Sequence, residues 1–170
     1  MIVIGTTSLA SLSIALADFC GDEGKGRPAI APAGEAHYGG EGWGLASDAR
    51  SLLLSDGSAT IKRFDPASFR QTGRIDVTFH GRPLDQINEL EVVDGFILAN
   101  VWHAPYLVRI DPASGRVTAQ IDLRPLVAEV GASDQEAVAN GIAWDRAGRR
   151  LFVTGKLWPT LFEVTLQPAG

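Results

Sequence analysis

From Gly40 onward apolar and polar residues alternate in short runs, each closed by a turn signal, the period-two pattern of half-buried strands. "SLLLSDG", "ATIKRFD" and "GRIDV" form a first set, punctuated by Asp-Gly, Asp-Pro and Thr-Gly. "LEVVDG", "FILANVW", "YLVRIDP" and "VTAQIDL" form a second, and "GIAWDRAG", "RLFVTGKLW" and "TLFEVTL" a third. Helical periodicity is confined to "RPLVAEV" at 124–130, where Leu126, Val127 and Val130 fall on one side of a short loop helix. The pattern predicts an all-β chain.

The three sets are copies of one another. "RFDPASF" (63–69) lies over "RIDPASG" (109–115) at a shift of 46 residues. Trp43-Gly44-Leu45 lies over Asn88-Glu89-Leu90 at a shift of 45, and Asn140-Gly141-Ile142 follows at a further 52. Repeats of about 40–50 residues, each holding about four short strands, predict propeller blades, here spanning about 40–84, 85–133 and 134–170. A lone four-stranded blade cannot bury both faces, so neighbours must stack against it. The "DPAS" turns suit the hairpin between third and fourth strands: Pro fixes φ, and Asp and Ser bond back to the local backbone. Propellers close with about four to eight blades. The three blocks are therefore expected to be a stretch of a longer ring.

Residues 1–39 break this pattern. "MIVIGTTSLASLSIALADFC" is apolar but lacks the positive start of a secretory signal, and its polar residues interrupt any membrane span. "GDEGKGRPAIAPAGEAHYGG" has the composition of a linker, and its "GDEGKG" lacks the spacing of a phosphate loop. The whole segment is expected to be a poorly packed leader with at most one strand or short helix.

Composition narrows the chemistry. With 170 residues, 45% of them hydrophobic, the chain suits an ordinary globular core. A net charge of −5 and the absence of any Lys/Arg run disfavour nucleic acid and anionic membrane as partners. Cys20 is the sole cysteine, and His37, His80 and His103 are scattered without ligand spacing, so no metal or other cofactor is expected.

In a propeller the innermost strands converge, and side chains at their starts meet at one mouth. Trp43, Asn88 and Asn140 hold equivalent positions near the start of each block's first strand, and Trp102 and Lys156 come at or just after the end of the second. Together they predict an aromatic-walled pocket with a few directed polar groups, the make-up of a small-ligand site. By contrast Trp144 and Trp158 read as core, His80 and His103 as surface or neighbouring residues, and Asp56, Asp65, Asp111 and Asp145 as turn residues. Strand alternation sets Glu89 opposite Asn88, as a structural acceptor.

"GEGWGL" (40–45), "LSDGSATIKRFDP" (54–66), "INELE" (87–91), "ANVW" (99–102), "VRIDPASGRV" (108–117), "NGIAWD" (140–145) and "LFVTGKLWPTLFEV" (151–164) resemble the glutamine cyclotransferase family, the plant-type glutaminyl-peptide cyclotransferases also found in bacteria. The resemblance covers residues 40–166. It implies a five-bladed propeller that converts an N-terminal glutamine to pyroglutamate, releases ammonia and uses no catalytic zinc. Its partners would be peptides or proteins with N-terminal glutamine, and its location the periplasm or outside the cell. Trp43 and Trp102 would wall the glutamine side chain, Asn88 would hydrogen-bond the substrate, and Lys156 would stabilise charge near the γ-carboxamide. The family's proton-transferring glutamate stands in a "GEG" motif of the second blade, whereas the match here starts at the third. Glu41 copies that motif superficially, but the equivalent position in register is Trp43. The resemblance thus implies a chain lacking two blades, with weak or no activity. The alternative is a non-catalytic propeller-like binding module, which would tolerate Ala at Lys156 or Trp102. A metal-holding sugar- or lactone-processing propeller is disfavoured, because only Asp85 and Glu89 stand near a strand start.

Overall fold

A computed structural model of the protein describes residue 35 and residues 37–166. The leader expected over residues 1–39, with its "GDEGKG" loop, lies almost wholly outside them. The chain divides into two units at Gly39 and Gly40, and the fold below is that of the second, Gly40–Gly170.

Its strands come in three antiparallel sheets, each wound in chain order, and one two-stranded hairpin. The first contains β1 (Gly44–Ser47), β2 (Leu52–Ser55), β3 (Thr60–Phe64) and β4 (Gln71–Asp76). A small hairpin of β5 (Thr78–Phe79) and β6 (Arg82–Pro83) follows, turning through the left-handed His80 and Gly81. The second sheet contains β7 (Ile87–Val93), β8 (Phe96–Val101), β9 (Tyr106–Ile110) and β10 (Val117–Asp122). The third holds β11 (Ala139–Asp145), β12 (Arg150–Gly155) and β13 (Phe162–Val164). The expected third four-stranded blade thus has three strands among the described residues. The short helix α1 is Arg124–Val130, ended by left-handed Gly131, and it occupies the connection that lengthens the third repeat.

Propeller stacking shows in what each face buries. Ala46, Leu53, Ile61 and Ile75 of the first sheet pack against Ile97, Ala99, Val108 and Ile110 of the second. Leu98 and Leu107, alternating with those residues along the same strands, point the other way onto Ile142, Leu151 and Val153 of the third. The middle sheet is therefore buried on both faces, which is why "FILANV" reads as a continuous apolar run rather than a strict alternation. Each such Leu, Ile or Val contributes about 1.5–3 kcal/mol. Inner strands β1, β7 and β11 lie side by side, so the starts of all three sheets face a common axis.

Polar bonds also tie the first two blades at their outer ends. The Arg63 guanidinium is held by Asp48 at 2.9 Å and reaches the Pro112 carbonyl at 3.3 Å, and the Thr78 N–H donates to the Gly115 carbonyl at 2.9 Å. Asp65 and Asp111 accept from the backbone of their "DPAS" turns, closing the β3–β4 and β9–β10 hairpins as expected.

Candidate active site at the inner-strand mouth

Each inner strand of the second and third sheets carries a β-bulge at the same place. Pairing of β7 with β8 shifts register between Ile87 and Leu90, and that of β11 with β12 shifts between Ala139 and Ile142. Asn88 and Asn140 are the first extra residues of these bulges. A bulge re-aims side chains and frees backbone groups from the ladder. It also interrupts the alternation that would set Glu89 opposite Asn88.

The freed groups are taken up from the preceding blade. The Ser55 hydroxyl at the end of β2 donates to the Asn88 carbonyl at 2.6 Å and accepts from the Gly44 N–H at 2.8 Å. One repeat later, Asn100 donates through Nδ2 to the Ala139 carbonyl and accepts at Oδ1 from the Gly141 N–H, both at 3.2 Å, gripping both sides of Asn140. Ser55 and Asn100 are fully buried. Thr154 holds the equivalent place in the third sheet, and its hydroxyl donates to the Thr160 carbonyl within its own hairpin. Sequence reasoning missed this series. The signal was present as a polar residue inside an apolar run, at the same 45-residue shift that relates Trp43 to Asn88. Gly44 belongs to the same junction, since any Cβ there would strike the Asn88 carbonyl.

Trp102 and Lys156 each follow directly on a second strand, β8 and β12, and both donate one backbone bond. The Trp102 N–H donates to the Gln86 carbonyl at 2.8 Å, and the Lys156 N–H to the Val138 carbonyl at 2.9 Å. Gln86 and Val138 each lie two residues ahead of the bulged Asn. The shift grows from 52 to 54 because the β7–β8 turn is Asp94-Gly95, whereas β11 and β12 are joined through residues 146–149.

Trp43 and Trp102 meet edge to face, ring centroids 5.6 Å apart and planes at 80°. Trp43 donates through Nε1 to the Glu41 carboxylate at 2.7 Å and lies over Gly57, where a Cβ would come within 2.8 Å of its ring. Asn88 is buried, Trp43, Trp102 and Asn140 are partly buried, and Lys156 is exposed. The structure thus joins Trp43 and Trp102 directly and gives Asn88 and Asn140 matching bulges, with Lys156 in the place of Trp102 one blade on. Three buried polar atoms, Gln86 Oε1, Trp102 Nε1 and Asn140 Oδ1, have no hydrogen-bond partner among the described residues. Gln86 is a further site residue that sequence reasoning missed.

Glu89 and Glu91 follow Asn88 on β7. Burial pushes both carboxyls up to about 7, and for Glu91 the neighbouring Glu89 adds to the rise while Arg146 opposes it. The remaining assignments are structural. Trp158 is core and donates to the Ala137 carbonyl at 2.9 Å, Trp144 lies under Arg149, and exposed His103 stacks on Trp102. Asp56 and Asp145 bond within their turns, and Asp56 also pairs with Lys62 at 2.9 Å. No group of three or more His, Cys, Asp or Glu that could hold a metal ion occurs among the described residues.

Antiparallel sheets wound in chain order and stacked face to face on side-by-side inner strands define a propeller-type protein. The chain belongs to the glutamine cyclotransferase family, whose model matches residues 26–166, beginning ahead of the motifs at 40. It is 41% identical over 136 residues to glutaminyl-peptide cyclotransferase of Arabidopsis thaliana, covering 79% of this chain and 42% of that protein. It also superposes on the crystal structure of Myxococcus xanthus glutaminyl cyclase with a TM-score of 0.73 and 44% identity, over 75% of this chain and 56% of that one. The chain therefore spans about half the length of these relatives.

Proposed function

We propose that this chain is a glutaminyl-peptide cyclotransferase acting on peptides or proteins with N-terminal glutamine. In that reaction the α-amine attacks the γ-carbonyl, a C–N bond forms, the attacking nitrogen gives up a proton, the bond to the amide nitrogen breaks, and that nitrogen takes up a proton and leaves as ammonia. Trp43 and Trp102 would hold the glutamine side chain folded back on its own amine and keep water away, which favours ring closure over hydrolysis. Asn88 and Asn140, fixed in their bulges, would direct hydrogen bonds at the substrate. The Lys156 ammonium would stabilise the negative charge that develops on the γ-oxygen. Glu41 would act on Trp43, by orienting its indole, and no metal is required of any step.

The observation that carries this reading is the edge-to-face contact of Trp43 with Trp102 beside unpaired Trp102 Nε1. Incubating the full chain with Gln-β-naphthylamide and following ammonia release tests it. Pyroglutamyl product is expected at a low rate, reduced further by at least about 100-fold in Trp102→Ala. Undiminished turnover in that variant would remove the mouth from the reaction.

A further inference from the structure

Resting on that reading of the mouth, we propose that Gln86 contacts the substrate and selects a primary carboxamide over a carboxylate. Gln86 stands at the foot of the two tryptophans. Its N–H donates to the Gly57 carbonyl at 2.6 Å, beneath the Trp43 ring, and its carbonyl accepts from the Trp102 N–H at 2.8 Å. Its backbone is left-handed at φ 62°, a conformation that Asn or Gly adopts at less cost. Strain of this kind persists where the surroundings impose it and concentrates at binding sites.

The repeats show that the backbone role does not need this side chain. Val138, the counterpart in the third blade, accepts the same bond from Lys156 without any amide. Glu41, the counterpart in the first, accepts the indole N–H of Trp43. At the middle position two side-chain atoms stay open among the described residues: Gln86 Oε1 is a buried acceptor without a donor, and Trp102 Nε1 a buried donor without an acceptor. A donor and an acceptor on two residues joined by a backbone hydrogen bond complement a carboxamide, whose oxygen would accept from Trp102 and whose NH2 would donate to Gln86. A carboxylate has no proton to offer Gln86 Oε1 and leaves that acceptor unpaired. Sites built to hydrogen-bond a group reject the analogue that lacks it far more strongly than apolar pockets do.

Stopped-flow tryptophan fluorescence of the full chain, mixed with the tripeptides Gln-Ala-Ala and Glu-Ala-Ala, reads binding before turnover. The unaltered protein is expected to prefer the glutaminyl peptide by about 100-fold or more. Gln86→Met should weaken that peptide by about tenfold or more, leave the glutamyl peptide unchanged, and keep the near-ultraviolet circular dichroism. Should Gln86→Met fail to fold, Gln86→Asn, at ease in the left-handed region but too short to reach, carries the same test. If the unaltered protein binds neither peptide, the reading of the mouth falls and this inference with it. If it discriminates and a folded Gln86 variant discriminates equally well, only the role of Gln86 is overturned.

Discussion

Trp43 and Trp102 come from adjacent blades and touch edge to face at 5.6 Å, so one aromatic corner depends on how two sheets stack. Edge-to-face pairs contribute about 0.5–1.5 kcal/mol beyond the area they bury. A double-mutant cycle of Trp43→Ala and Trp102→Ala, read by urea unfolding, should give a coupling energy in that range. Additive single effects would mean that the rings are neighbours without interacting.

The polar series Ser55, Asn100 and Thr154 should rank in stability by what each leaves unpaired. Asn100→Ala orphans the Ala139 carbonyl and the Gly141 N–H between two blades, and should cost about 3 kcal/mol. Ser55→Ala orphans the Asn88 carbonyl and the Gly44 N–H and opens less space, costing about 2 kcal/mol. Thr154→Val frees one carbonyl of a partly exposed hairpin and should cost less than about 1 kcal/mol. Denaturant midpoints settle the order, and Thr154 leading it would dismiss the inter-blade role.

The strands, the repeat and α1 were legible because alternation and "DPAS" turns are local signals that survive without tertiary context. Asn88, Asn140, Trp102 and Lys156 were also legible as equivalent positions, since aligning repeats superposes them. The bulges were not, because a register slip depends on which residue faces which across the ladder. Ser55 and Asn100 were hidden for a related reason: a polar residue in a buried strand is explained only by the neighbouring blade that it reaches. The β5–β6 hairpin was missed because two-residue strands carry no period. In the third blade "TLFEVTL" was read as a strand, yet only Phe162–Val164 pair, with Thr165 and Leu166 outside it.

Glu89 and Glu91 should make stability fall as pH rises. Their carboxyls sit at about 7 in the fold against 4.5 for the free group, so the folded state holds protons that the unfolded chain releases. Their contribution is fully present below pH 4.5 and is lost as pH climbs from there through about 7. Asp48 and Asp56 act oppositely: their carboxyls are net lowered by hydrogen bonds and Arg63 or Lys62, although burial pulls the other way, so their stabilisation is lost only in acid. Glu89→Gln should therefore gain stability over the parent protein on going from pH 4.5 to pH 8, by on the order of 1 kcal/mol after solvent screening. Unfolding curves at both pH values decide it, and parallel changes would show that Glu89 keeps its charge.

Lys156 separates a catalytic mouth from a scaffold. It is exposed, and its hydrogen bond among the described residues runs from its backbone N–H to the Val138 carbonyl, a bond that any residue except proline can make. Truncating such a side chain should change stability by no more than about 0.5 kcal/mol. If its ammonium stabilises the developing oxyanion, Lys156→Ala should lower kcat by about 100- to 1,000-fold with KM little changed, because the interaction strengthens only as charge builds. Lys156→Arg, which keeps the charge but not its position, should fall between the two. A binding module would show the reverse: peptide affinity, thermal midpoint and any residual turnover all unmoved by Lys156→Ala. Measuring kcat, KM and the unfolding midpoint on the same three proteins distinguishes the cases, since the catalytic role predicts a loss in the first quantity alone.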